Sequence, residues 1–153
     1  MPLWRISNHA DLSGEGGRLA EGRWHRLGQR VVYLAEHPAL TLVETLVHLE
    51  IDPEDIPRNF RLLSVDVPDD LAFDELPEAD LDRLHPGWRH DKATTRASSD
   101  SFFTSNVHAL LRVPSVLVPA ASNFLLNPAH PDASRVRIAS DILVAFDDRL
   151  LRR

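Results

Sequence analysis

No cysteine occurs in the 153 residues, so a disulfide framework and a thiolate metal site are excluded, and a reducing compartment is compatible with the chain. Lysine is almost missing: Lys92 stands alone, and every other Lys/Arg position is arginine. A positive field is missing too, since the net charge is −6 and binding to a nucleic-acid backbone rests on many Lys and Arg contacts to phosphate. No apolar run approaches membrane-spanning length, and the opening Met1-Pro2-Leu3-Trp4-Arg5-Ile6-Ser7 lacks the apolar stretch of a secretory signal. These absences predict a cytoplasmic protein whose main ligand is neither nucleic acid nor membrane.

The common site signatures are absent as well: there is no GxGxxG, P-loop, HExxH or GxSxG. Of the eight histidines, only His85 with His90 and His25 with His37 lie near each other, without a supporting carboxylate pattern, and no metal site is expected. What is present is an apolar content of 43%, enough for one sizeable core and a single domain over residues 1–153. Arginine offers a planar fork suited to phosphate and carboxylate, while a high-GC genome gives the same bias without function. Only particular arginines can decide between these.

The coarse element pattern starts with a short strand over Leu3 to Ser7. The stretch 13–24 then gathers most of the glycine, which reads as a loop with no helix in it. Val31 to Ala35 reads as a strand, and Pro38 opens a helix to about Leu49. On that helix Leu42, Val43, Leu46, Val47 and Leu49 form a broad apolar face with Leu40 at its margin, and Thr41, Glu44, Thr45 and His48 a narrow polar strip. Glu44 sits where the two meet, a position from which it can look into a cleft. Arg61 to Val67 alternates as a strand, with Leu63, Val65 and Val67 on one face. The acidic span 68–96 predicts a short helix around Glu78 to Leu84. A helix over Phe102 to Leu111, capped by Ser99 or Asp100, and strands at Ser115–Pro119, Phe124–Leu126, Val136–Ile138 and Leu143–Phe146 complete an α+β pattern without βαβ rhythm.

Three blocks, Gly14-Glu15-Gly16 to Gly22-Arg23-Trp24, Val32-Tyr33-Leu34-Ala35, and Leu42-Val43-Glu44-Thr45-Leu46-Val47-His48-Leu49, resemble the glycine-rich, tyrosine and glutamate blocks of the RES domain. The runs Pro114-Ser115-Val116-Leu117-Val118-Pro119 and Asn123-Phe124-Leu125-Leu126-Asn127-Pro128-Ala129-His130-Pro131 resemble its closing block. The resemblance implies a fold similar to ADP-ribosyltransferases, with mixed β-sheets and a few peripheral helices. It also implies consumption of NAD as a substrate without a cofactor, and restraint by an Xre-type helix-turn-helix antitoxin, with a homodimer inside that complex left open. Matched residue by residue, Arg23, Tyr33 and Glu44 fall on the motif, as does Arg5 in the opening strand. Ser115 is matched to the family's serine, with Ser122 as a rival, and His25 stands where Asn is expected after Gly-Arg-Trp.

The residue types suit the implied chemistry. Nicotinamide in NAD is already a pyridinium leaving group, so a single carboxylate, Glu44, facing an oxocarbenium-like ribose is sufficient. Arg5 and Arg23 are expected to clamp the pyrophosphate, Tyr33 to stack on the nicotinamide ring, Asn123 to contact substrate, and the serine to fix the ring amide or a ribose hydroxyl. The acceptor, whether water, phosphate or a protein side chain, stays open, as does a non-catalytic module that binds a nucleotide or a partner. Each residue also has a plainer role: Glu44 as half of a surface pair with His48, Tyr33 as core, Arg23 as an ion-pair partner, Ser115 as a strand start, and Arg5 as a bridge to Asp147.

Overall fold

Alternating apolar positions build the sheet, and the computed structural model, which describes residues 1–48 and 59–151, shows how they pair. Seven strands are hydrogen-bonded in one sheet: β1 Pro2–Ser7, β2 Val32–Ala35, β3 Asn59–Asp66, β4 Asp74–Glu75, β5 Leu110–Pro114, β6 Ser122–Leu126 and β7 Arg137–Ala145, in the order β4-β5-β6-β2-β1-β3-β7. All neighbours are antiparallel except β4 and β5. Among the described residues four helices, α1 Glu15–Leu19, α2 Pro38–His48, α3 Glu78–Leu84 and α4 Lys92–Ser105, lie around it, as an α+β chain requires. Among the described residues no helix is long and apolar enough to cross a membrane.

The two faces of the sheet bury separate cores. Leu3, Leu34, Leu63, Val65, Phe124 and Leu126 pack together on one side. On the other, Leu111, Val113 and Leu125 meet Trp24, Trp88 and Phe102. Because side chains alternate along a strand, neighbouring residues such as Leu125 and Leu126 serve different cores, and a one-residue slip would exchange them.

Several sequence expectations are corrected. The glycine stretch contains α1, which opens after Gly14 in the left-handed region at φ 71°. There a Cβ would sit 2.8 Å from the Pro128 ring and 2.9 Å from the Val31 nitrogen, so only glycine fits. The expected helix over Phe102 to Leu111 is instead α4, ten residues earlier at its start. Asp91, not Ser99 or Asp100, caps it, accepting from the Ala93 and Thr94 amides at 3.0 and 3.3 Å. It stops at Asn106 with φ 50°, which frees Leu110–Pro114 to pair with β6. The expected strand Ser115–Pro119 is a turn, because the Ser115 hydroxyl accepts the amides of Leu117 and Val118 and offers the backbone an alternative to a ladder. The two short C-terminal strands are one strand, β7, irregular in register opposite Ser64/Val65.

Helix α2 departs in part from its expected apolar packing. Leu40 and Thr41 are buried, Leu42, Glu44, Thr45 and Leu46 are half-buried, and Val43, Val47 and His48 are exposed. Leu49, expected at its end, lies outside the described residues.

Candidate active site

A gap in the sheet makes the site. Strand β1 pairs with β3 along its whole length, from Pro2↔Asp66 to Ser7↔Arg61, but meets β2 only at Trp4↔Ala35. Beyond that bridge, Arg5 and Ile6 of β1 diverge from Tyr33 and Leu34 of β2, and α2 covers the opening. The Thr41 hydroxyl accepts the Ile6 amide at 3.2 Å, in place of a missing strand partner. The result is a cavity of about 470 Å³ lined by Arg5, Arg23, Tyr33, Glu44, His48 and Asn123 among others, within the usual size of small-molecule sites.

Glu44 points across the cleft to the closing block. Its Oε1 accepts from the Ser115 hydroxyl at 2.9 Å and from the Asn123 side-chain amide at 2.8 Å. Two donors on one oxygen fix the carboxylate plane, and among the described residues no hydrogen bond reaches Oε2. Ser115 is only 1% exposed, and with its proton given to Glu44 it accepts from the two following amides. The rival Ser122 is turned elsewhere, accepting from Arg112 and donating its amide to Glu36. Ser115 and Asn123 therefore reach the carboxylate itself, rather than standing free for a ligand. The surface pairing of Glu44 with His48 is not what its Oε1 does.

Tyr33 presents its ring to the cavity, but its hydroxyl is committed. It accepts the Trp24 amide at 3.1 Å and lies 2.7 Å from His25 Nδ1. His25 Nε2 faces two carbonyls, Gly17 at 2.7 Å and Ala20 at 2.8 Å, so the proton of a neutral ring belongs on Nε2, and Nδ1 accepts from Tyr33. Burial pushes the Tyr33 phenol above its usual range. Gly22 completes the arrangement: a Cβ there would meet Tyr33 Oη at 2.7 Å and the His25 ring at 2.8 Å.

The two arginines differ. Arg5 is half-buried, and its buried Nε has no hydrogen-bond partner among the described residues. Burial lowers its pKa, with Asp11 partly opposing. Asp147, the expected partner, is bonded to Arg149. A desolvated guanidinium with an orphaned donor is a site prepared for an anion. Arg23 lines the same cavity, and its backbone carbonyl accepts from Thr95 of α4.

Arg5, Arg23, Tyr33, Glu44 and Asn123 thus line one cleft, and Ser115 is joined to it through Glu44, while Ser122 is not. The sequence singles out His25 only as a departure from the family's Asn, and its buried bonds leave no periodic trace; Thr41 lies on the polar strip of α2 but has no role assigned from the sequence. Among the described residues no three His, Asp or Glu side chains group as a metal site.

Comparison with known proteins shows the family and the fold. The RES domain profile matches residues 2–147. The chain is 46% identical to "Toxin Res" of Pseudomonas putida over 138 residues, covering 90% of this chain and 92% of that protein. It is 38% identical to "Prs ADP-ribosylating toxin" of Sphingobium sp., covering 99% and 97%. The toxin–antitoxin complex MbcT–MbcA of M. tuberculosis contains a chain of the same fold, with a TM-score of 0.73 at 18% identity, covering 94% of this chain and 84% of that one. With its domain profile, its relatives and its sheet in agreement, the chain belongs to the RES domain family.

Proposed function

We propose that this chain is the toxin of a toxin–antitoxin pair and that it consumes NAD in the cytoplasm. The observation that supports this best is the pairing of a carboxylate fixed through one oxygen, Glu44, with an arginine, Arg5, whose buried Nε has no hydrogen-bond partner among the described residues, in one cavity. Arg5 and Arg23 hold the pyrophosphate, and the Tyr33 ring lies against the nicotinamide. The bond from ribose C1′ to the ring nitrogen breaks, and its electron pair neutralises the pyridinium, so no general acid is required. Positive charge grows on C1′ and the ring oxygen, where the ionised Glu44 stabilises it electrostatically. An acceptor oxygen then bonds to C1′ and loses its proton to solvent. Ser115 and Asn123 act through Glu44, by holding it.

If the acceptor is water the products are nicotinamide and ADP-ribose, and if it is phosphate, nicotinamide and a phosphorylated ADP-ribose. The name of the Sphingobium relative favours a second reading, in which a protein side chain is the acceptor. Incubating purified protein with NAD, with and without phosphate and with a cell lysate, and weighing the products separates the three. NAD left intact under all conditions contradicts the proposal.

A freely active NAD-consuming enzyme endangers its own cell, so restraint in trans by an Xre-type antitoxin is part of the same reading. A partner segment that covers the cleft and offers a carboxylate to Arg5 or Arg23 mimics the pyrophosphate. Truncating such a segment is expected to release activity before it abolishes the complex, as read by NAD consumption alongside light scattering. Equal inhibition by the truncated partner contradicts occlusion.

A further inference from the structure

None of the residues of α4 is among those lining the cavity, yet one face of this helix holds the segment that does. Thr95, Arg96 and Ser99, spaced to share a face, donate to three consecutive carbonyls. The Thr95 hydroxyl bonds to Arg23, Arg96 Nε to Gly22 at 2.8 Å, and the Ser99 hydroxyl to Trp24. Each hydroxyl also lies near carbonyls of its own helix, at 3.2 Å for Thr95 and at 3.1 and 3.2 Å for Ser99. A hydroxyl has one proton, and the loop contacts are the shorter ones. Thr95 and Ser99 are 0% and 1% exposed, so water cannot replace them. The amides of the segment are taken as well, Gly22 by the His25 carbonyl and Trp24 by Tyr33 Oη. The backbone on both sides of Arg23 is therefore fixed while its side chain borders the cavity.

We infer that Thr95 and Ser99, with Arg96, are positioning residues for Arg23: α4 is a clamp that sets the place of the cationic side chain in the cleft. The inference rests on the proposed role of Arg23 in binding NAD. A Ser/Thr-rich helix face is a poor source of helix stability, since these side chains compete for backbone groups. In α4 that competition is directed onto a neighbouring loop, which gives the composition a use.

The test compares Thr95→Val, Thr95→Ser and Ser99→Ala with Asp91→Ala, which removes the cap at the start of α4 without touching the clamp. Steady-state NAD kinetics and amide hydrogen exchange over residues 20–26 are read for each. Thr95→Val and Ser99→Ala are expected to raise KM for NAD about tenfold, with kcat changed less than about threefold. Exchange of the Gly22 and Trp24 amides is expected to quicken by at least about tenfold. Thr95→Ser, which keeps the hydroxyl, is expected to restore both, and Asp91→Ala to move neither. If exchange quickens while KM stays at the wild-type value, or if Asp91→Ala raises KM equally, the clamp does not position Arg23. Thr95→Ser and Ser99→Ala decide the matter should Thr95→Val not fold. A wild-type protein inert toward NAD removes the substrate reading, and the exchange comparison then decides the clamp alone, with unchanged exchange overturning it.

Discussion

At the scale of the residue, chemical roles divide between groups that face the cavity and groups that hold them. Glu44, Arg5 and Tyr33 face it, Asn123 and His25 both line it and hold a neighbour, and Ser115 only holds. The hydroxyl of Tyr33 therefore has a structural task. Tyr33→Phe removes the donor to His25 Nδ1 and the acceptor of the Trp24 amide. Leaving such groups unpaired in a buried place costs about 1–3 kcal/mol, so urea unfolding is expected to show that loss while kcat/KM for NAD falls only a few-fold. A large fall in kcat/KM with stability unchanged contradicts the assignment and makes the hydroxyl part of the chemistry. Arg23→Lys keeps the charge but not the fork, and partial recovery of NAD binding relative to Arg23→Ala is expected. Complete recovery by lysine argues for a simple point charge. Gly22→Ala places a methyl against Tyr33 Oη and the His25 ring; a lowered Tm together with a raised KM is expected, and retention of both contradicts the tight packing of this loop.

Elements were legible in the sequence where burial follows a simple period. Strand β3 and the residue after it show it, since Leu63, Val65 and Val67 are all buried, and α3 falls where the acidic segment placed a helix. Helix α4 was not legible: its buried positions include Thr95 and Ser99, whose value comes from a loop about seventy residues away. The apolar run from Leu110 was read as the end of a helix because its partner, β6, is a matter of tertiary pairing. In α2 the departure from the usual rule for amphipathic helices is local: Thr41 is buried and Glu44 half-buried beside the cleft, while Val43 and Val47 are exposed. The site residues themselves were found through the blocks they share with the RES domain, not through periodicity. Spacing alone gave no reason to bring Glu44 and Ser115 together.

Part of the acid sensitivity belongs to the elements near α4 and is open to a direct check. Hydrogen bonds from Thr94 and Ala93 lower the pKa of Asp91, those from Trp88 and Arg89 lower that of Asp82, and that from Arg26 lowers that of Asp100. A folded-state pKa below the unfolded value of about 3.9 gives stability that is present above that value and lost as pH falls through the folded one. Stability is therefore expected to be insensitive to these groups at neutral pH and to fall below about pH 4. Asp91→Asn retains a capping oxygen without a titrating proton and is expected to flatten the acid limb of a pH series of urea unfolding. An unchanged slope contradicts the role of Asp91.

For the whole molecule, a seven-stranded sheet is opened at one seam, between β1 and β2, and the seam is where arginine, tyrosine and glutamate meet. One core lies on each face of the sheet and supports the opening. The central claim is that Glu44, held through one oxygen, stabilises the cation formed as nicotinamide leaves. The most direct measurement follows NAD and nicotinamide by NMR for the wild type and for Glu44→Gln, with circular dichroism to confirm that both are folded. The account predicts that the wild type releases nicotinamide as NAD disappears and that the folded Glu44→Gln protein is slower by at least about a hundredfold. Turnover by Glu44→Gln within a few-fold of the wild type would contradict it.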